Sequence, residues 1–107
     1  MNYYQYELVI VILDPTLGNE IKKTRPCVII SPNELNHNIN TVIIAPITST
    51  SKDYPTRVAF QLDGQKNLIV LDQLRTIDKI RIVKQIGNLD ESTILKVKAV
   101  ITEMLVD

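Results

Sequence analysis

The sequence predicts a mainly β domain, a small, strongly bent antiparallel sheet or barrel closed by one C-terminal helix. Three observations carry this. Five or six short runs rich in Val, Ile and Leu are each stopped by Pro, Gly, Asn or Asp, the pattern of short strands between turns. After Asp90 the apolar period changes, with Ile94, Val97, Ile101 and Leu105 recurring three or four residues apart, as on one face of a helix. Strands first and helix last argues against a doubly wound parallel sheet.

Taken in order, Tyr6 to Leu13 reads as a buried strand ended by Asp14-Pro15. Thr16 to Thr24 is polar, contains Gly18 and reads as a loop, longer than a usual hairpin connection and of the kind that carries function. Arg25 to Ser31 is the second strand, ended by Pro32, and Asn33 to Asn40 is a loop holding His37. Thr41 to Ile47 is the third strand, where Pro46 implies an edge, a bulge or the strand's end. Thr48 to Pro55 is polar, and Thr56 to Leu62 alternates like a half-exposed strand. Asp63-Gly64 signals a hairpin turn. Asn67 to Thr76 reads as one fifth strand and Lys84 to Ile86 as a short sixth. The helix runs from Glu91 to Val106 with Asp90 as its N-cap and Glu91 in the first turn, where the helix dipole favours an anion.

At 107 residues the chain fits a single domain over its whole length and buries roughly two-thirds of its unfolded surface. One core is therefore attainable without staples. The single cysteine, Cys27, rules out an internal disulfide and fits a reducing compartment; inside an apolar run it reads as packing. The longest apolar run, Leu8 to Leu13, is too short to span a bilayer. With no signal-peptide pattern, a cytoplasmic location is expected. Twelve basic residues balance twelve acidic ones, so binding to nucleic acid has to come from local asymmetry. One basic cluster is Lys22, Lys23 and Arg25; another is Arg75, Lys79, Arg81 and Lys84. Each is either a solvated face or an anion-binding patch.

Several chemistries drop out. Glycines at 18, 64 and 87 match neither nucleotide-binding fingerprint. One His and one Cys do not make a usual structural zinc site; a carboxylate-metal site stays open, although the acids show no clustered ligand spacing, and no cofactor is expected. His37 lacks the serine-elbow context of a triad. What remains is a pair of β-branched runs: Arg25-Pro26 leads into the first and Thr48-Ser49-Thr50-Ser51 follows the second. If these runs pair as antiparallel neighbours, the start of one lies beside the end of the other. A guanidinium then stands next to a hydroxyl at one rim of a sheet, and the guanidinium fork matches phosphate oxygens. The alternative is that the hydroxyl run satisfies a turn and Arg25 caps a sheet edge.

The runs Asp14-Pro15-Thr16-Leu17-Gly18-Asn19-Glu20, Arg25-Pro26, Pro46-Ile47-Thr48-Ser49-Thr50-Ser51-Lys52 and Tyr54-Pro55 resemble the MazF/PemK toxins. So do Leu71-Asp72-Gln73-Leu74-Arg75-Thr76-Ile77-Asp78-Lys79 and Ile86-Gly87-Asn88-Leu89. The resemblance covers nearly the whole chain. It implies an SH3-like barrel with added helices, a homodimer, and a toxin that is a metal-independent endoribonuclease cutting single-stranded mRNA at short sequences. The products it implies are a 2′,3′-cyclic phosphate, or a 3′-phosphate, and a 5′-hydroxyl. It implies Arg25, Thr48 and Glu20 as catalytic residues and Gln73 as an RNA contact; Lys22, Lys23, Ser49 and Arg75 join the expected RNA-binding set. It also implies a cognate antitoxin with an acidic, disordered C-terminal segment that occupies the RNA groove. The chain departs from the family by reading Gln5-Tyr6-Glu7 where many members have a Gly-acid pair, and Thr24 where some have histidine. Two other functions stay open. A related toxin without the Arg/Thr pair inhibits DNA gyrase by binding, and a plain RNA-binding barrel needs no turnover.

Overall fold

The computed structural model describes residues 2–13, 23–50 and 52–106. Seven strands, β1 (Glu7–Ile12), β2 (Thr24–Ile29), β3 (Thr41–Thr48), β4 (Arg57–Leu62), β5 (Gln65–Val70), β6 (Arg75–Asp78) and β7 (Ile82–Asn88), form one curled antiparallel sheet. Its order is β4-β5-β3-β2-β1-β7, with β6 added alongside β3. A four-residue helix, α1 (Asn33–Asn36), follows β2, and α2 (Glu91–Ile101) follows β7. Among the described residues, no helix is long and apolar enough to cross a membrane.

The eight-residue β3 is the pivot of the curl. On one side its residues Ile44 to Pro46 pair with Ile29 to Cys27 of β2. On the other, Thr41 to Ile44 pair with β6 and Ile47 and Thr48 pair with β5. Pro46 therefore sits neither on an edge strand nor at the strand's end. It occupies the step where β3 leaves one partner for the next, a position that tolerates a residue with no N–H.

The same geometry divides the predicted fifth strand in two. Its apolar run ends at Val70, and a 3-10 turn at Leu71–Gln73 separates β5 from β6. Leu71 is fully buried and its N–H donates to Thr56 O (3.2 Å), which fixes the turn against the start of β4. Asp63 and Gly64 both adopt positive φ (52° and 78°) between Leu62 and its partner Gln65, as a two-residue hairpin turn requires. The sixth strand is longer than its sequence suggests, because β7 pairs with β1 through two register irregularities. The predicted 33–40 loop contains α1, which is anchored by Asn36. Asn36 is fully buried, donates from Nδ2 to Ser31 O (2.8 Å) and hydrogen-bonds Ser31 Oγ.

Strand residues alternate between two apolar clusters, one on each face of the sheet. Leu8, Val28, Ala45, Ile47 and Ile69 pack with Val97 of α2. Val9, Val11, Cys27, Ile29, Val42, Ile44 and Ile77 form the second cluster on the opposite face. Two buried faces explain why β1 and β2 read as continuous apolar runs rather than as alternation.

Asp90 caps α2 by accepting from Thr93 N (3.2 Å), Thr93 Oγ1 (2.6 Å) and Ser92 Oγ (2.6 Å). The hydroxyls of Ser92 and Thr93 hold its carboxyl down at about 2. The predicted helix to Val106 changes character at Thr102, where a π turn covers Thr102–Val106. That wider winding shifts the apolar stripe. Met104 packs on the core, whereas Leu105 is 64% exposed.

Candidate active site

A cleft of ≈ 450 Å³ takes its walls from five strands and one turn. Register places its side chains on the face opposite α2. Arg25 pairs with Val11 and stands two residues before Cys27, while Arg75 pairs with Ile44, and all three neighbours belong to the second cluster. Thr48 lies two residues beyond Pro46, which pairs with Cys27. Continuing that register sets Thr48 at the level of Arg25 on the adjacent strand. Arg25, Thr48, Gln73 and Arg75 all line the cleft, with Leu13 and Pro46 as apolar wall.

Thr48 is half-buried, and its hydroxyl accepts from Thr50 N at 3.3 Å. This is the turn-satisfying role expected of a hydroxyl run. It leaves the O–H of Thr48 a choice between Thr50 Oγ1, 3.4 Å away, and any ligand in the cleft. Cys27 is fully buried beneath the arginines. Burial pushes its thiol up to about 12 against the opposing pull of Arg25 and Arg75. Cys27 is therefore a packing residue and not a nucleophile. Both guanidinium groups line the one cleft above this sulfur.

The remaining expected site residues divide. Lys23 is exposed just before β2, and Ser49 is exposed just after Thr48; neither is part of the cleft wall. Glu20 and Lys22 lie outside the described residues. The second basic cluster is not one surface. Arg81 donates to the carbonyls of Ile12 (3.4 Å) and Leu13 (3.2 Å), and Lys79 donates to Asn36 O. These two clamp the fold, while Arg75 faces the cleft. His37 contacts the N-terminal segment, with Nε2 3.0 Å from Tyr3 O and its ring edge-on to Tyr4.

Sequence reasoning missed Arg57, which also lines the cleft. Its Nε and Nη2 bond Asp72 at 3.3 and 3.4 Å, and its guanidinium lies 4.7 Å from the Tyr54 ring centroid. The local signal was only that Arg57 opens β4, on the non-core face of an alternating strand directly after the hydroxyl loop. The hydrogen bond from Arg57 and that from Thr56 hold the Asp72 carboxyl below the usual carboxylate range. Among the described residues, no group of three or more His, Cys, Asp or Glu is arranged to hold a metal ion. Chemically, the cleft offers fixed cations, a hydroxyl and an amide, which suit binding and charge stabilisation of a phosphodiester.

Residues 4–105 match the family described as PemK-like, MazF-like toxin of type II toxin-antitoxin system. The chain is 35% identical over 91 residues to "Endoribonuclease MazF" of Staphylococcus epidermidis, covering 79% of this chain and 76% of that protein. It is 32% identical over 71 residues to "Endoribonuclease toxin MazF" of Escherichia coli K12, covering 66% of this chain and 64% of that one. The match thus spans a little under two-thirds of the E. coli relative. Among solved structures, the Mycobacterium tuberculosis toxin MazF-mt6 superposes with a TM-score of 0.76 at 26% identity, over 91% of this chain and 93% of that one. A MazE-MazF structure from Deinococcus radiodurans gives 0.82 at 23% identity, over 98% and 96%, a likeness of fold.

Proposed function

This chain belongs to the PemK-like, MazF-like toxins of type II toxin-antitoxin systems, and we propose that it is an endoribonuclease forming one toxin domain over residues 1–107. The observation that carries this reading is the convergence of Arg25 and Thr48, from adjacent strands, on one cleft with Arg75 and Gln73. The matched curated relatives are named endoribonucleases, which supports the same activity here.

In the proposed reaction the substrate supplies its own nucleophile. The 2′-oxygen of the RNA attacks the adjacent phosphorus; the O2′–P bond forms and the P–O5′ bond breaks. The products are a 2′,3′-cyclic phosphate, which opens to a 3′-phosphate, and a 5′-hydroxyl. No protein nucleophile and no metal take part in this scheme. A guanidinium carries five donors and no acceptor, so Arg25 acts by gripping the non-bridging oxygens and hydrogen-bonding the leaving 5′-oxygen. Thr48 donates its hydroxyl to the same phosphate. Holding the 2′-oxygen in line supplies the rest of the acceleration. A guanidinium has no acceptor site and a hydroxyl is a poor proton acceptor, so neither side chain is a natural base. We assign the 2′-proton to Glu20, and the 5′-oxygen takes its proton from water. Gln73, Arg75, Lys22, Lys23 and Ser49 are assigned to RNA binding.

The proposed partners are a second copy of the chain and a cognate antitoxin. MazE-MazF complexes among the structural relatives support the antitoxin, and an acidic disordered segment would compete with RNA for the cationic cleft. The decisive experiment incubates the purified protein with single-stranded RNA, without any topoisomerase, and maps both fragment ends. Internal cuts ending in cyclic phosphate and 5′-hydroxyl support the reading. Intact RNA at stoichiometric protein rejects it and leaves gyrase inhibition or plain RNA binding.

A further inference from the structure

Arg57 is held more tightly than an arginine on a protein rim ordinarily is. Its side chain is only 15% exposed, although it opens a strand at the wall of the cleft. Asp72 takes Nε and Nη2, Lys52 O accepts from Nη1 at 3.4 Å, and the Tyr54 ring packs against the guanidinium plane. Thr56 Oγ1 donates to Asp72 Oδ1 at 3.0 Å, which fixes the carboxylate in turn. An arginine held in one rotamer loses little freedom when a ligand arrives.

Position matters as much as rigidity. Arg57 pairs with Val70, and both line the cleft on the face away from α2. Arg25 and Thr48 stand on adjacent strands, whereas Arg57 is on β4, two strands beyond β3. At about 4.8 Å per strand that is ~10 Å from the strand bearing Thr48. The spacing suits a different phosphate of the same RNA strand rather than the one at Arg25. Three guanidinium groups with one carboxylate beside them leave the cleft with surplus positive charge, which favours a polyanion.

We propose that Arg57 is a second substrate-contacting cation, gripping a phosphodiester that flanks the scissile one, and that Asp72 is the positioning residue that presents it. This rests on the endoribonuclease reading. It adds to that reading a cation on the far wall of the cleft and a second phosphate in the footprint.

The test uses a mixed-sequence pool of 12-nucleotide RNA with 2′-methoxy sugars, which binds but lacks the attacking hydroxyl. Affinity is measured over a range of salt for the wild type, Arg57→Gln, Arg57→Met and Arg57→Lys, with thermal melting of each. Each phosphate contact on single-stranded nucleic acid contributes about −0.7 to the slope of log affinity against log salt. The slope should shrink by about 0.7 in the Gln and Met variants and persist in the Lys variant. Arg57→Met keeps the stem over Tyr54 and serves if Arg57→Gln does not fold. With cleavable RNA, Asp72→Asn should raise KM several-fold, more than it lowers kcat. An unchanged slope in the Gln and Met variants beside a wild type that binds and cuts would overturn this inference alone. A wild type that neither binds the pool nor cuts RNA would reject the endoribonuclease reading and this inference with it. An unaltered KM in Asp72→Asn would remove Asp72 from its positioning role.

Discussion

Replacing Arg25 by alanine separates chemistry from folding cleanly, because the side chain stands exposed at the start of β2. Its backbone keeps the register with Val11 whatever the side chain. The core below, Cys27 and Ile29, keeps its contacts, so no cavity opens. Surface substitutions of this kind usually change stability by about 0.5 kcal/mol or less, which is ~2–4 °C in melting temperature for a domain near 100 residues. The rate is another matter. Losing one preorganised donor to a developing oxyanion costs on the order of 10²–10³, and a guanidinium fork supplies two charge-assisted bonds. We expect cleavage to fall ~10³-fold, about 4 kcal/mol at 1.36 kcal/mol per decade. Arg25→Lys keeps the charge but not the fork and should fall between the two. The assay is single-turnover cleavage of an end-labelled RNA at saturating protein, run beside a thermal melt. Activity of Arg25→Ala within threefold of wild type would refute the reasoning, as would a variant that loses activity only because it has unfolded.

Further outcomes follow from the rest of the molecule. Val97→Ala, at a fully buried position of α2, should cost ~2 kcal/mol in urea unfolding. Because α2 packs on the face away from the cleft, the cleavage rate of the folded variant should not change. Asp90→Asn should lower the melting temperature near neutral pH. The folded carboxyl sits at about 2, below its ordinary 3.8, so the cap's contribution is present above 3.8 and is lost as pH falls through about 2. The melting difference between wild type and Asp90→Asn should therefore close toward pH 2. Excess chelator should leave cleavage undiminished; activity restored only by added divalent ion would contradict the scheme.

Local patterns forecast most of the architecture. The hairpin turn at Asp63-Gly64, the Asp90 cap and the strand-to-helix change of period are all encoded within a few residues. The arrival of Arg25 and Thr48 at one cleft was legible for the same reason, since two short strands joined in antiparallel order bring those ends together. What escaped depended on contacts distant in sequence. The division of 67–76 into β5 and β6 comes from β3 exchanging partners, and Pro46 reads as an edge, a bulge or a strand end until that exchange is known. Arg81 and Lys79 look like a basic patch with Arg75, yet the folded chain turns them onto backbone carbonyls of β1 and α1. Arg57 looked like one polar residue in an alternating strand; only the curl of the sheet carries β4 round to the cleft.

The most direct measurement uses an RNA with a single 2′-methoxy group at the nucleotide whose phosphate is cut, all other sugars unmodified. The account predicts binding as tight as that of the unmodified strand and no product at that position. Cleavage there at the unmodified rate would show that the attacking oxygen comes from elsewhere, and the proposed role of Arg25 and Thr48 would fall with it.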